Sequence, residues 1–148
     1  MSASEMDVLR VLIVEDSPIV AERLSESLLA VRGLRIIDTI DRENKAIEAL
    51  ERGGIDVVVL DLRLNRGTGF GVLRALSARA EANDGGREAR PVVIIFTNYD
   101  LPEYRRQALA LGADYFLDKA RDFERLPGLI ETLRGKPPEN HPPELVPA

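Results

Sequence analysis

The chain has 148 residues, with 20 Lys and Arg against 25 Asp and Glu, so its formal net charge is −5, and 45% of its residues are hydrophobic. This length and composition are typical of one compact domain that is large enough to bury a core. The absence of Cys excludes disulfides, thiolate metal sites and cysteine nucleophiles. The acidic balance argues against nucleic-acid binding as the main activity, because phosphate contacts need clustered positive charge.

The sequence also lacks the signals of membrane insertion and export. No stretch approaches the roughly 18 to 20 uninterrupted apolar residues that cross a bilayer. Residues 1–7 lack the basic segment followed by an apolar segment that marks a signal peptide. We therefore expect a cytoplasmic protein that does not insert into a membrane.

Short apolar runs rich in β-branched residues alternate with longer amphipathic stretches along the chain. This alternation is typical of βαβ units around a parallel sheet, so the predicted fold class is α/β, doubly wound, with helices on both faces. Each run is nearly continuous, and we expect every strand to be buried. The five predicted strands are residues 8–14, 34–39, 56–60, 92–96 and 115–117.

Between the strands, apolar residues recur at spacings of three and four, which predicts helices with one core-facing stripe. The predicted stripe of the first helix contains Ile19, Leu24 and Leu28. Ser17 followed by Pro18 gives this helix a capping residue and a proline in its first turn. The stripes of the second and third helices are Ala46, Ala49 and Leu50, and Val72, Leu73 and Leu76.

Two segments fall outside this pattern. Residues 79–90 contain Asn83-Asp84-Gly85-Gly86 and are predicted to form a mobile loop. Residues 135–148 include five Pro in fourteen positions and are predicted to be a disordered tail. We therefore expect an N-terminal extension over residues 1–7, one domain over residues 8–134, and no second domain.

Chemically reactive side chains follow four of the predicted strands directly. Because ligands of an open parallel sheet bind outside the carboxyl ends of its strands, we expect these side chains to meet at one edge. Clustered carboxylates repel each other, and a hard cation such as Mg²⁺ offsets that repulsion. A carboxylate beside Mg²⁺ and an ammonium is suited to accept a phosphoryl group. These residues are Glu15 and Asp16 after the first strand, Asp61 after the third, Thr97 after the fourth, and Asp118 and Lys119 after the fifth.

The segments around these residues resemble the receiver domain of response regulators from bacterial two-component signalling systems. The matching segments are residues 11–16, 57–62, 94–97 and 112–119, and the resemblance extends over residues 8–134. It implies a flavodoxin-like sheet with the strand order 2-1-3-4-5.

The resemblance also implies a role for each side chain of the site. Asp61 would be the phosphoacceptor, and Lys119 would pair with an oxygen of the phosphoryl group. Mg²⁺ would be bound by Glu15, Asp16 and Asp61 together with the backbone carbonyl of Arg63. The domain would catalyse its own phosphorylation and dephosphorylation without being an enzyme that acts on a separate substrate.

Thr97 and Phe116 would be the switch residues of such a domain. Thr97 would move toward the phosphoryl group, and Phe116 would turn inward and repack the surface of the fourth helix, fifth strand and fifth helix. The phosphoryl donor would be a histidine kinase or a histidine phosphotransfer protein, and an unknown downstream protein would contact the repacked surface. With no output domain expected, the chain would be a receiver of the stand-alone type.

The sequence departs from the family pattern at three positions near the expected site. Ala120 follows the lysine where family members usually have Pro. Asn65 stands four residues after the acceptor where Pro is common, and Asn98 replaces the usual small residue after the switch hydroxyl.

Other functions receive less support from the sequence. A phosphohydrolase of the haloacid dehalogenase type needs an acid two residues after its nucleophile, where Arg63 stands. Dinucleotide binding by Gly67-Thr-Gly-Phe-Gly71 needs a third glycine at the position of Val72. A flavin or nucleotide carrier of the same fold, a scaffold that works without phosphorylation, and a phosphoryl relay or sink remain open.

Overall fold

A computed structural model describes residues 8–82 and 90–134. The strands are β1 (Leu9–Val14), β2 (Leu34–Ile40), β3 (Val57–Leu60), β4 (Val92–Thr97) and β5 (Tyr115–Asp118). The helices are α1 (Pro18–Leu28), α2 (Glu43–Arg52), α3 (Gly69–Ala82), α4 (Pro102–Ala110) and α5 (Leu126–Thr132), and a 3₁₀ turn (Phe123–Arg125) leads into α5. The predicted N-terminal extension, the predicted tail and residues 83–89 lie outside the described residues.

The five strands form one parallel sheet in the order β2-β1-β3-β4-β5, which confirms the predicted α/β fold and its strand order. Every residue of β3 and β4 is buried. Because successive side chains of a strand point to opposite faces, complete burial means that both faces of the sheet are covered. The continuous apolar runs of the sequence therefore correspond to central strands between two helical layers.

The prediction that every strand is buried is wrong for β2. This strand lies at the edge of the sheet and is only partly buried, and Ile37 is 42% exposed. Val11 pairs with Ile36 while Leu12 pairs with Asp38, so the register shifts by one residue. Ile37 is the extra residue of this bulge, and the bulge interrupts the alternation between the two faces.

The inclusion of Ile19 in the buried stripe of α1 is also wrong. Ile19 is 72% exposed, whereas Leu24 and Leu28 are fully buried. At 3.6 residues per turn, Ile19 lies about 140° around the helix from Leu24 and about 180° from Leu28. Val20, four residues before Leu24, packs against the core instead. The start of the helix agrees with the prediction, since the hydroxyl of Ser17 accepts a hydrogen bond from the amide of Val20.

The third helix is longer than the sequence indicated. The predicted loop begins at Arg79, but α3 continues to Ala82. The guanidinium of Arg79 donates a hydrogen bond to the carbonyl oxygen of Leu50 at 2.7 Å. This contact holds the last turns of α3 against the carboxyl end of α2, and a pattern of apolar residues does not reveal it.

Among residues 8–82 and 90–134, every helix is too short or too polar to cross a lipid bilayer.

The helix α1 offers a direct test of these burial assignments. We expect Leu28→Ala to lower the free energy of unfolding by about 2–5 kcal/mol, because it leaves a cavity in the core. Ile19→Ala on the same helix should change it by less than about 0.5 kcal/mol. Urea unfolding of both variants measures the difference, and a comparable loss in both would contradict the described orientation of α1.

Candidate functional site

The carboxyl ends of β1 and β3 lie side by side, and the chain beyond them continues the pairing. The two strands pair in register up to Val14 and Leu60. The amide of Asp61 then donates a hydrogen bond to the carbonyl oxygen of Val14 at 2.9 Å. Backbone pairing therefore fixes Asp61 beside the start of the Glu15-Asp16 segment.

The ends of β4 and β5 carry the other two predicted side chains. Thr97 pairs with Asp118, and the amide of Lys119 donates a hydrogen bond to the carbonyl oxygen of Thr97 at 3.0 Å. In the sheet β4 lies between β3 and β5, so the end of β4 is next to that of β3 and the end of β5 is one strand further on.

Three carboxylates converge at this edge. Glu15, Asp16 and Asp61 each offer an oxygen atom, and these atoms lie within 4.8 Å of one another. Glu15 and Asp61 are buried, whereas Asp16 is half-buried. A compact set of oxygen ligands that is open on one side fits Mg²⁺, which is usually bound by a few carboxylates and retains several water molecules. The donor set therefore fits a magnesium ion.

Lys119 lies between two of these carboxylates. Its Nζ atom is 2.7 Å from Oδ2 of Asp61 and 2.8 Å from Oε1 of Glu15. Burial alone would lower the pKa of Lys119, but the hydrogen bonds and charges of Asp61 and Glu15 outweigh it and raise that pKa above its ordinary value. The lysine is therefore a fixed positive charge beside Asp61.

The carboxylate of Glu15 has a raised pKa. Burial raises its pKa to about 7; the hydrogen bond from Lys119 works against this rise, and the charge of Asp61 adds to it. Its Oε2 atom also accepts a hydrogen bond from the amide of Ser17 at 3.0 Å. The contact with Lys119 therefore does not cancel the effect of burial on the pKa of Glu15.

Thr97 and Phe116 are both inside the protein. The hydroxyl of Thr97, which is fully buried, accepts a hydrogen bond from the amide of Tyr99 at 3.2 Å. The ring of Phe116 is 1% exposed, and the guanidinium carbon of Arg105 lies 5.7 Å from its centroid. The structure describes a single conformation in which both side chains are buried. The movements expected of Thr97 and Phe116 stay predictions.

Arg63 and Tyr99 form a contact that the sequence did not predict. The amide of Arg63 is 3.4 Å from Oδ1 of Asp61. Its guanidinium donates a hydrogen bond to the hydroxyl of Tyr99 and lies 5.5 Å from the centre of that ring. This pair joins the loop after β3 to the loop after β4, and no sequence pattern marks Tyr99. The expected use of the Arg63 carbonyl as a metal ligand stays a prediction.

An aromatic cleft of about 290 Å³ lies beside this pair. The ring of Tyr104 packs against Phe70 at a centroid distance of 6.0 Å and against Tyr99 at 6.4 Å. The cleft separates the N-terminal turns of α3 and α4 next to the loop that follows Asp61. Its lining residues are Leu62, Arg63, Thr68, Phe70, Tyr99 and Tyr104.

The turn after β5 is built by two aspartates. Oδ1 of Asp118 accepts hydrogen bonds from the amides of Ala120 at 2.9 Å and Arg121 at 2.8 Å. The carboxylate of Asp122, which is 1% exposed, accepts one from the amide of Asp118 at 2.9 Å. The described peptide bonds are all trans. These side chains therefore order the turn where the family usually has Pro.

The comparisons with known proteins agree with this geometry. The family model of the response regulator receiver domain matches residues 11–131, and the chain belongs to this family. Receiver domains are phosphoacceptor signalling domains of two-component systems. An uncharacterized response regulatory protein of Yersinia pestis is 32% identical over 126 residues, which are 85% of this chain and 48% of that protein. The chain spans about half the length of the curated relatives that it matches.

Solved structures share the fold. A DNA-binding response regulator of the LuxR family from Staphylococcus aureus matches with a TM-score of 0.70 and 23% identity, covering 84% of this chain and 97% of that one. The receiver domain of the sensor histidine kinase PA1611 from Pseudomonas aeruginosa matches with a TM-score of 0.69 and 22% identity, covering 84% and 95%. That second structure has a magnesium ion coordinated in its active-site cleft.

The turn after β5 provides a testable prediction. We expect Asp122→Ala to lower the free energy of unfolding by about 1–3 kcal/mol, because the amide of Asp118 loses its acceptor in a largely buried position. Glu124→Ala, two residues further on at an exposed position, should change it by less than about 0.5 kcal/mol. Denaturant titrations would contradict the described turn if the two variants were equally stable.

Proposed function

We propose that residues 8–134 form a receiver domain in which Asp61 accepts a phosphoryl group in a Mg²⁺-dependent reaction. The donor is a histidine kinase or a histidine phosphotransfer protein, and we place the domain with these donors in the cytoplasm. The observation that carries this proposal is the contact of Lys119 with Asp61 at the centre of the three-carboxylate cluster.

The metal would be bound by the carboxylates of Glu15, Asp16 and Asp61 and by the backbone carbonyl of Arg63. When bound there, Mg²⁺ supplies positive charge to the oxygens of the incoming phosphoryl group. The pairing of β1 with β3, which holds Asp61 beside the Glu15-Asp16 segment, supports this assignment. A cation at this position would also reduce the repulsion among the buried carboxylates. The magnesium ion of the Pseudomonas receiver domain supports the same role here.

In the proposed transfer, a carboxylate oxygen of Asp61 attacks the phosphorus atom of the donor's phosphohistidine. The new O–P bond forms as the P–N bond breaks, and the imidazole nitrogen leaves with the electron pair of that bond. Lys119, held charged by its neighbours, stabilises a phosphoryl oxygen. Attack by water on the phosphorus atom later releases phosphate and restores the carboxylate.

The signal would leave the site through Thr97 and Phe116. The phosphoryl oxygens give the Thr97 hydroxyl an acceptor to which it can donate, and a turn toward them would draw its oxygen away from the amide of Tyr99, whose hydrogen bond it now accepts. A shift of β4 at this point repacks Phe116 on the neighbouring strand and the Arg105 side chain over it. We propose that a downstream protein reads the resulting surface of α4, β5 and α5.

Phosphorylation with a small donor tests the proposal. Incubation with acetyl phosphate and Mg²⁺ should add one phosphoryl group to the wild-type chain, and EDTA should prevent this addition. Asp61→Asn should remain unlabelled, whereas Asp38→Asn at the exposed edge strand β2 should be labelled like the wild type. Intact-mass spectrometry measures all four reactions.

These labelling reactions and two further measurements separate the open alternatives. Equal labelling of Asp61→Asn and wild type would reject Asp61 as the acceptor. No labelling of the wild type at any Mg²⁺ concentration would favour a scaffold that works without phosphorylation. Visible absorbance of the purified protein would point instead to a flavin carrier. Transfer from the labelled chain back to a histidine phosphotransfer protein would identify a relay or sink.

The side chain of Arg63 gives a second prediction. The positive charge of its guanidinium interacts with the negative charges of Asp16 and Asp61. It would therefore weaken the attraction of these carboxylates for a bound cation. We expect Arg63→Ala to strengthen Mg²⁺ binding by roughly two- to fivefold, the range of solvent-exposed charge interactions. The backbone carbonyl is kept in this variant. Arg74→Ala on the exposed face of α3 is the control, and calorimetric titration would refute the prediction if Arg63→Ala weakened binding.

A further inference from the structure

The glycine-rich segment of residues 67–71 takes no part in the proposed chemistry, yet it encloses one carboxylate. Gly67 has a φ angle of +87°, which side chains other than glycine rarely adopt. A Cβ atom on Gly67 or on Gly71 would overlap the side chain of Glu43. The two glycines therefore make room for Glu43, which lies in the first turn of α2.

Glu43 holds the segment with its side chain and its backbone. Its Oε1 atom accepts a hydrogen bond from the amide of Thr68 at 2.9 Å, and its own amide donates one to the carbonyl oxygen of Arg66 at 2.9 Å. In the described part of the chain no ion pair involves this carboxylate. Its polar contacts are thus directed at the backbone of a neighbouring loop.

That loop returns directly to the phosphoacceptor. Thr68, whose amide donates the hydrogen bond to Glu43, forms an antiparallel bridge with Arg63. The amide of Gly69 donates to the carbonyl oxygen of Leu62 at 2.9 Å, and a Cβ atom on Gly69 would overlap the backbone carbonyl of Asp61. The loop over residues 63–68 is therefore closed at its base beside Asp61, where the Glu43 carboxylate contacts Thr68, and it is held further out, at Arg66, by the backbone amide of Glu43.

We propose that Glu43 is a positioning residue of the phosphoacceptor site. Through Thr68 it fixes the loop whose Arg63 carbonyl joins the Mg²⁺ ligands, so the carboxylate acts on metal affinity without touching the metal. This inference rests on the proposed function. It explains the glycine pattern as space for the half-buried carboxylate of Glu43.

The first test compares Mg²⁺ dissociation constants of the full chain by isothermal titration calorimetry. Glu43→Ala should weaken Mg²⁺ binding by roughly tenfold, the lower end of the effect of losing a residue that orients a metal ligand. Glu43→Gln keeps an oxygen acceptor for the amide of Thr68 and should stay within about threefold of wild type. Glu48→Ala, at an exposed position on the same helix, should not change the affinity.

The Gln variant separates positioning from a simpler explanation. An acidic residue in the first turn of a helix stabilises that helix through its charge, and Gln loses this charge. If charge alone mattered, Glu43→Gln and Glu43→Ala would behave alike. The hydrogen-exchange rate of the Thr68 amide, measured without Mg²⁺, is a direct readout of this contact. Exchange should be faster in Glu43→Ala and close to the wild-type rate in Glu43→Gln.

Gly71→Ala disrupts the same contact from the side of α3. It replaces Glu43→Ala in the experiment if that variant does not fold. Its Cβ atom displaces the Glu43 carboxylate, so Mg²⁺ binding should weaken as it does in Glu43→Ala. In a Glu43→Ala background the added methyl group meets no carboxylate and should cause no further loss. This non-additivity is the signature of one shared contact.

The results distinguish a failure of this inference from a failure of the proposed function. Wild-type affinity in both Glu43→Ala and Gly71→Ala, with Mg²⁺ binding and Asp61 labelling intact in the wild type, overturns the inference alone. Equal losses in Glu43→Ala and Glu43→Gln also overturn it. A wild-type chain that neither binds Mg²⁺ nor is labelled overturns the proposed function and this inference together.

Discussion

The repulsion among three carboxylates at one sheet edge is the constraint on which the site depends. The pairing of β1 with β3 forces Asp61 next to Glu15, and both groups are buried. Lys119 offsets part of this repulsion through two short contacts. Burial, with a smaller contribution from the charge of Asp61, still raises the pKa of Glu15 to about 7. Backbone pairing thereby holds like charges close together, an arrangement that a bound cation would stabilise.

Much of this arrangement could be predicted because it follows from strand order and alternation. Continuous apolar runs identify the central strands, and the first polar residue after each run identifies the edge where ligands bind. The three carboxylates and Lys119 are found together as that reasoning expects. The family resemblance supplied what spacing does not contain, namely the order of the strands and the role assigned to each side chain.

The features that sequence reasoning missed depend on contacts between distant segments. Arg79 extends α3 by reaching a carbonyl on α2, and Arg63 crosses to Tyr99 on another loop. Neither contact leaves a periodic signal, because each involves one long side chain. Ile19 was misplaced for a different reason: its spacing from Leu24 is five residues, which only loosely matches a helical stripe. Local patterns thus predict elements well and predict their mutual attachment poorly.

The turn after β5 has a consequence for exchanging residues between relatives. Ala120 donates its amide hydrogen to Asp118, and proline has no such hydrogen to give. The residue that is usual in the family would therefore leave one oxygen of Asp118 with a single backbone donor, that of Arg121. Positions 118, 120 and 122 are linked by these backbone contacts, so the effect of introducing Pro at position 120 depends on the two aspartates beside it.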